Sequence, residues 1–152
     1  MLQEVLVVGA AVNPLVEVLV QASGAQADEG RISREELARV EEEATADALR
    51  EQSKAGLDLV TDGQVRWDDG QTYLAQKIAG FSIDGLIRYL DSNTYYRQPI
   101  VEGKLAWRGP ITVQDYQFAR EHSAKRVKAV LIGPFTLAKL SRNAHYPRFE
   151  DL

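Results

Sequence analysis

Eight consecutive residues, Asp62-Gly63-Gln64-Val65-Arg66-Trp67-Asp68-Asp69, bring carboxylates, an amide, a guanidinium and an indole into one short stretch. Arg66 can fork a carboxylate through two parallel N–H donors, and Gln64 can donate and accept at once. The competing reading is a polar loop closed by a local Arg–Asp ion pair. A second group, Asn93-Thr94-Tyr95-Tyr96-Arg97-Gln98-Pro99, sets aromatic rings beside an arginine. Such a group can form a flat-ring wall with an anion clamp, or simply a packed loop. In the third, Gly133-Pro134-Phe135-Thr136, a hydroxyl follows an apolar run, and Thr136 can serve a site or cap a helix.

Several chemistries find no support. His122 and His145 are the only histidines, are remote from one another and fit no metal-ligand spacing. His122 falls late in an expected helix, where an imidazole favours the dipole. The glycine-rich phosphate loop, the dinucleotide fingerprint and the nucleophile elbow of serine hydrolases are all missing from the sequence.

The elements that must position these groups follow a strand–helix–strand order. Val5–Val8 is a continuous apolar run closed by Gly9-Ala10-Ala11, as in a strand buried on both faces of a parallel sheet. Pro14 can open a helix over Leu15–Gln21, with Ser23-Gly24 ending it and Gln26–Gly30 as loop. Ser33-Arg34-Glu35-Glu36 matches a capping box. The helix Ser33–Ala55 follows, with Leu37, Val40, Ala44 and Ala48 inward and Glu41–Glu43 largely solvated. Ala55-Gly56 stops it, and Leu57–Thr61 makes a second strand, leading into Asp62-Gly63. Helix is expected around Tyr73–Ile78, with irregular structure through Gly80 and Gly85. Asn93–Lys104 suits extended segments, with Pro99 arguing against a central strand. A helix over Val113–His122, capped by Thr112 or a neighbour, precedes a third strand, Val127–Ile132, and a helix over Thr136–Leu140. The three strand-ending turns, at Gly9, Gly63 and Gly133, are where parallel α/β folds collect their ligand sites.

With 152 residues, 45% hydrophobic and 26% charged, the chain has ordinary globular composition and the length of one domain. A net charge of −4 provides no basic excess for nucleic acid or an anionic membrane. The absence of cysteine removes disulfides and thiolate metal sites and suits the cytoplasm. No signal sequence or apolar run long enough for a membrane span is present.

Taken together and in order, these motifs resemble the catalytic barrel of the cobalamin-independent methionine synthase family, in its single-barrel archaeal and bacterial type. The residues that carry the resemblance are Val7-Val8-Gly9-Ala10, then Ala55-Gly56-Leu57-Asp58-Leu59-Val60-Thr61-Asp62-Gly63-Gln64 with Arg66 and Asp68. Arg97-Gln98-Pro99-Ile100-Val101-Glu102-Gly103 and Gly133-Pro134-Phe135-Thr136-Leu137-Ala138-Lys139-Leu140 complete it. The resemblance spans nearly the whole chain and implies an α/β fold, a partial (β/α)8 barrel, with residues 1–152 as its N-terminal portion.

What the resemblance implies for function is methyl transfer from a methylated folate, or another methyl carrier, to the zinc-bound thiolate of homocysteine. Gly9, Ala10 and Gln64 would then help hold the amino-acid substrate, Arg97 would lie near the folate side and Thr136 at the barrel mouth, with Asp62 and Arg66 also among the substrate-binding residues. Ala10 stands where the family usually has serine, and Gln64 where it usually has glutamate. An amide lacks the charge that pairs with a substrate ammonium. The family's zinc ligands, a histidine and cysteines with a glutamate, follow its Gly-Pro-x-Thr segment and have no counterpart here. The expectation is therefore a chain that binds no catalytic zinc by itself. It would pair with a second copy or with the remainder of a barrel, because an unclosed sheet leaves apolar edges in water. Two other readings stay open: a non-catalytic assembly or binding module, and a relative acting on a different thiol or methyl carrier.

Overall fold

A computed structural model describes residues 29–89, 91–93 and 95–152, preceded by residues 20, 22–24, 26 and 27. The strand expected at residues 5–8 lies outside them. Residues 22–24, 26 and 27 are helical, where Ser23-Gly24 was expected to end a helix. Glycine weakens a helix by only about 1 kcal/mol, so Gly24 can remain helical.

In chain order the elements begin with α1 (Arg34–Lys54), β1 (Leu59–Val60), α2 (Gly70–Ala75), β2 (Ile78–Arg88) and β3 (Tyr95–Trp107). They continue with α3 (Val113–Glu121), β4 (Arg126–Val127), α4 (Pro134–Leu140), β5 (Arg142–Asn143) and a 3-10 turn, Phe149–Asp151. The chain divides into two compact units, each made of two separate stretches. Of the described residues, the first holds those up to 66 with 113–130, and the second holds those of 67–112 with 131–152.

In the first unit the capping box forms as read. The Glu36 N–H donates to Ser33 Oγ at 3.1 Å, and the Ser33 N–H donates to Glu36 Oε2 at 2.9 Å. Each bond satisfies a backbone donor that the helix start leaves unpaired. Leu37, Ala44, Thr45, Ala48, Leu49 and Gln52 form the buried face of α1, while Val40 is only half-buried. Leu49 and Val60 pack with Ala119 of α3, and Leu57 and Val127 close over them. Full burial of a leucine or valine side chain contributes about 1.5–3 kcal/mol. β1 and β4 pair in parallel, Leu59 with Arg126 and Val60 with Val127, as expected for the second and third strands.

The third strand is shorter than the apolar run suggested. After the Lys128 N–H donates to the Val60 carbonyl at 2.8 Å, residues 128–133 leave the sheet. A strand lasts only as far as a neighbour supplies backbone partners, and β1 supplies two residues. Ile132 turns instead to the core of the second unit, beside Tyr73, Leu74 and Leu137.

That unit corrects the reading of residues 70–107. The helix expected around Tyr73–Ile78 is Gly70–Ala75, and the supposed irregular stretch beyond it is an 11-residue strand. β2 pairs antiparallel with β3, and β5 joins β3 in parallel, so β3 is central. Pro99 sits within that central strand, opposite Ile83. It is tolerated because β5 pairs only with Ile100 and Val101, and because the β2 register slips between Ile83 and Leu86. A residue without an N–H fits where the ladder is already interrupted. The second slip, between Ala79 and Phe81, depends on Gly80: at φ +93, a Cβ there would stand 2.7 Å from the Gly103 and Lys104 carbonyl oxygens. The result is a mixed α/β fold with parallel strand pairs, flanking helices and one long antiparallel hairpin.

Candidate functional site

The turn after β1 is fastened at Thr61, Gly63, Gln64 and Arg66. Gln52, in the last turn of α1, is 5% exposed. Its side-chain amide donates to the Thr61 carbonyl at 2.9 Å and accepts from the Thr61 N–H at 2.9 Å. Its other amide hydrogen reaches the Ala48 carbonyl, 3.2 Å away. Beyond Thr61, the Gly63 N–H donates to Thr61 Oγ1 at 3.2 Å and the Gln64 N–H to Asp62 Oδ1 at 3.3 Å. These local side-chain caps are the ordinary work of Thr and Asp in turns. They hold Gly63 at φ 74 and Gln64 at φ 51, the latter the one non-glycine residue with positive φ among those described. Glycine adopts that region freely and glutamine at a cost, so the turn stores a small strain that its fastenings must hold.

Charge gathers around the turn within the same unit. The Arg66 guanidinium lies 3.6 Å from Glu41 and 3.5 Å from Asp115, with its side chain 18% exposed, and it sits 5.2 Å from the Phe118 ring centre. Phe118 in turn stacks on His122 at 3.9 Å, and His122 Nδ1 is 2.8 Å from the Phe118 carbonyl. Burial pushes the Asp62 carboxyl above the usual aspartate range. The Gln64 N–H and Arg66 work against that shift, and the nearby Asp115 charge adds to it. A half-buried carboxyl, an amide and a guanidinium already offset by two acids therefore share one turn. Such an arrangement can hold a small polar ligand through hydrogen bonds and one charge contact.

The competing reading, a loop closed by a local Arg–Asp pair within 62–69, is not what Arg66 makes: it pairs with Glu41 and Asp115, while Asp68 is exposed. Glu41 is correspondingly less solvated than its place among Glu41–Glu43 suggested, with a side chain 21% exposed. Asp115, Glu41 and Gln52 were not legible as site residues. The signal for Asp115 was an acid on the same helical stripe as Ala119, and for Gln52 a polar residue four after Ala48 on the buried stripe.

Of the other residues singled out, Gly9 and Ala10 lie outside the described residues. Arg97 is an exposed residue of β3 in the second unit. Its N–H is held by Asp69 Oδ2 at 3.2 Å, and the same carboxylate caps α2 through the Thr72 N–H at 2.7 Å. Thr136 is exposed in the first turn of α4, whose N-cap is Gly133 followed by Pro134, so Thr136 does not cap that helix.

Residues 17–149 match the family described as Cobalamin-independent synthase, Catalytic domain. The chain belongs to that family. Over 124 residues it is 35% identical to a methionine synthase of Saccharolobus solfataricus, covering 81% of this chain and 37% of that protein. With a methionine synthase of Thermococcus kodakarensis the identity is 31% over the same length and coverage. In structure it resembles a B12-independent methionine synthase from Shewanella sp. W3-18-1, solved in complex with selenomethionine. The TM-score is 0.70 and the identity 24%, over 80% of this chain and 36% of that one. A Listeria monocytogenes structure described as a putative vitamin-B12 independent methionine synthase gives a TM-score of 0.69 at 18% identity, over 95% and 40%. The chain thus spans rather more than a third of the length of these relatives.

The zinc associated with this family does not fit the donors present. The sequence has no cysteine, and among the described residues no group of three or more His, Asp or Glu side chains is disposed to hold a metal. His122 and His145 belong to different units and each lies against an aromatic ring, Phe118 and Tyr146 respectively.

Proposed function

We propose that the turn at residues 61–66 is the amino-acid side of a methyl-transfer site, in which a methylated folate or related carrier donates to the thiol of homocysteine. Asp62 and Gln64 would border the substrate, and Arg66 would hold the turn through Glu41 and Asp115. Family membership supports the reaction class. The observation that carries the assignment to this turn is its fastening at the end of a parallel strand, with positive φ at Gly63 and Gln64. Ligands of parallel α/β folds bind at the carboxyl ends of strands. The Shewanella relative was solved with selenomethionine, an amino acid of the kind such a pocket would receive.

Under the same proposal Gly9 and Ala10 complete the amino-acid side, Arg97 faces the methyl donor and Thr136 stands at the mouth of a (β/α)8 barrel. Residues 1–152 would form the N-terminal part of that barrel, working in the cytoplasm. Zinc would be supplied by residues outside this sequence. A second copy or the rest of the barrel would cover the exposed apolar residues Leu86, Trp107, Leu131 and Phe135.

Calorimetric titration of the protein with L-homocysteine, beside a Gln64→Glu variant, tests the reading. A carboxylate facing the substrate ammonium should tighten binding by roughly tenfold, the worth of one charge-assisted hydrogen bond. Equal affinity in the two proteins would remove Gln64 from the substrate wall.

A further inference from the structure

We infer that Gln52 is a positioning residue for this turn: its buried amide fixes both backbone groups of Thr61 and thereby the Asp62-Gly63-Gln64 backbone. The inference rests on the proposed substrate role of the turn for its functional consequence, though not for its mechanics.

The orientation of the amide is settled by its partners. Two carbonyl oxygens, of Ala48 and Thr61, face Nε2, and one N–H, of Thr61, faces Oε1. A flipped amide would set its oxygen against both carbonyls and leave the Thr61 N–H unpaired, so only one rotamer satisfies all three. The local fastenings of Gly63 and Gln64, by the Thr61 hydroxyl and the Asp62 carboxylate, all hang from Thr61 and its neighbour. They fix the turn relative to Thr61 alone. Gln52 ties Thr61 directly to α1, whose Leu49 is anchored in the core with Val60 and Ala119, while Arg66 ties the far end of the turn to α1 through Glu41. A side chain that reaches from a rigid helix to both backbone groups of one residue does what a neighbouring strand would otherwise do. Gln64 at φ 51 relaxes toward ordinary backbone angles once that link is cut.

The test uses Gln52→Met, which keeps length and burial but has no amide, and Gln52→Glu, which keeps shape but changes the donor. Amide hydrogen exchange is followed at Gly63 and Gln64 and, as reference, along α1; L-homocysteine affinity is measured alongside. In Gln52→Met, exchange at Gly63 and Gln64 should quicken about tenfold, as expected for loss of a buried hydrogen bond, while the first three turns of α1 stay unchanged. In Gln52→Glu the carboxylate repels the two carbonyls at neutral pH. Protonation restores one donor, so protection of Gly63 and Gln64 relative to α1 should recover on acidification by more than in the wild-type protein, where Asp62, the acceptor for the Gln64 N–H, titrates as well. Wild-type protection of Gly63 and Gln64 in Gln52→Met overturns the inference. Should Gln52→Met not fold, a Gln52→Glu protein whose turn protection responds to pH no more than wild type overturns it equally. If the turn loosens while homocysteine binds as tightly as before, Gln52 positions the turn and the substrate reading of the turn is what fails.

Discussion

Asp62 occupies a place where water solvates it poorly, and that sets a pH dependence for folding. Burial first, and the Asp115 charge in addition, raise its folded-state pKa above its unfolded one. Between the two values the folded protein holds a proton that the unfolded chain has released. The contribution is therefore full below the unfolded pKa and is lost as pH rises through the folded pKa. Asp62→Asn keeps an oxygen for the Gln64 N–H and removes the charge. It should unfold at higher denaturant concentration than wild type at pH 7, with the difference closing on acidification. Urea titrations at several pH values check this, and a variant less stable at pH 7 would show that the charge is well paired with Arg66. Gly63→Ala places a Cβ at φ 74 and should cost 1 kcal/mol or somewhat more, measured in the same titrations. At this scale the sequence disclosed Asp62, Gln64 and Arg66 because they are consecutive. It hid Gln52, Glu41 and Asp115 because those reach the turn only through the packing of α1 and α3.

Among the elements, α1 was the most legible, since cap, apolar stripe and glycine stop all point to one answer. Ser33→Ala should cost the protein about 1 kcal/mol through loss of the cap bond from the Glu36 N–H. Leu49→Ala, at the centre of the first core, should cost about 2–5 kcal/mol. Chemical denaturation of both variants gives the comparison, and equal losses would mean that the core around Leu49 is looser than it looks. The β2–β3 hairpin was the least legible element. Gly80, Gly85 and Pro99 read as breakers along the sequence, yet Gly80 and Pro99 mark register slips within a paired ladder. Breakers identify where a ladder is interrupted and cannot by themselves say whether pairing resumes. The Val127–Ile132 run failed in the opposite sense. Its apolar residues are shared between a two-residue strand in one unit and core packing at Ile132 in the other. An apolar run reports burial without naming the partner.

For the whole molecule, the family was legible from the order of the motifs, while the division into two units was not, because each unit joins residues far apart in sequence. Leu86, Trp107, Leu131 and Phe135 are each more than half exposed. Burying such area is favourable at about 25 cal/mol per Å², which supports association with a second copy or with the rest of a barrel. Sedimentation at micromolar concentration should show a species larger than the 16.9 kDa chain; a single monomeric boundary would mean that these side chains are stable in water as they stand. The central claim, that residues 61–66 form the amino-acid side of a methyl-transfer site, is tested most directly by following backbone amide resonances while L-homocysteine is added. The largest shifts should fall on Asp62, Gly63, Gln64 and Arg66, with α1 and the β2–β3 hairpin nearly unmoved. Shifts centred on β2 and β3, or none at all at millimolar ligand, would contradict it.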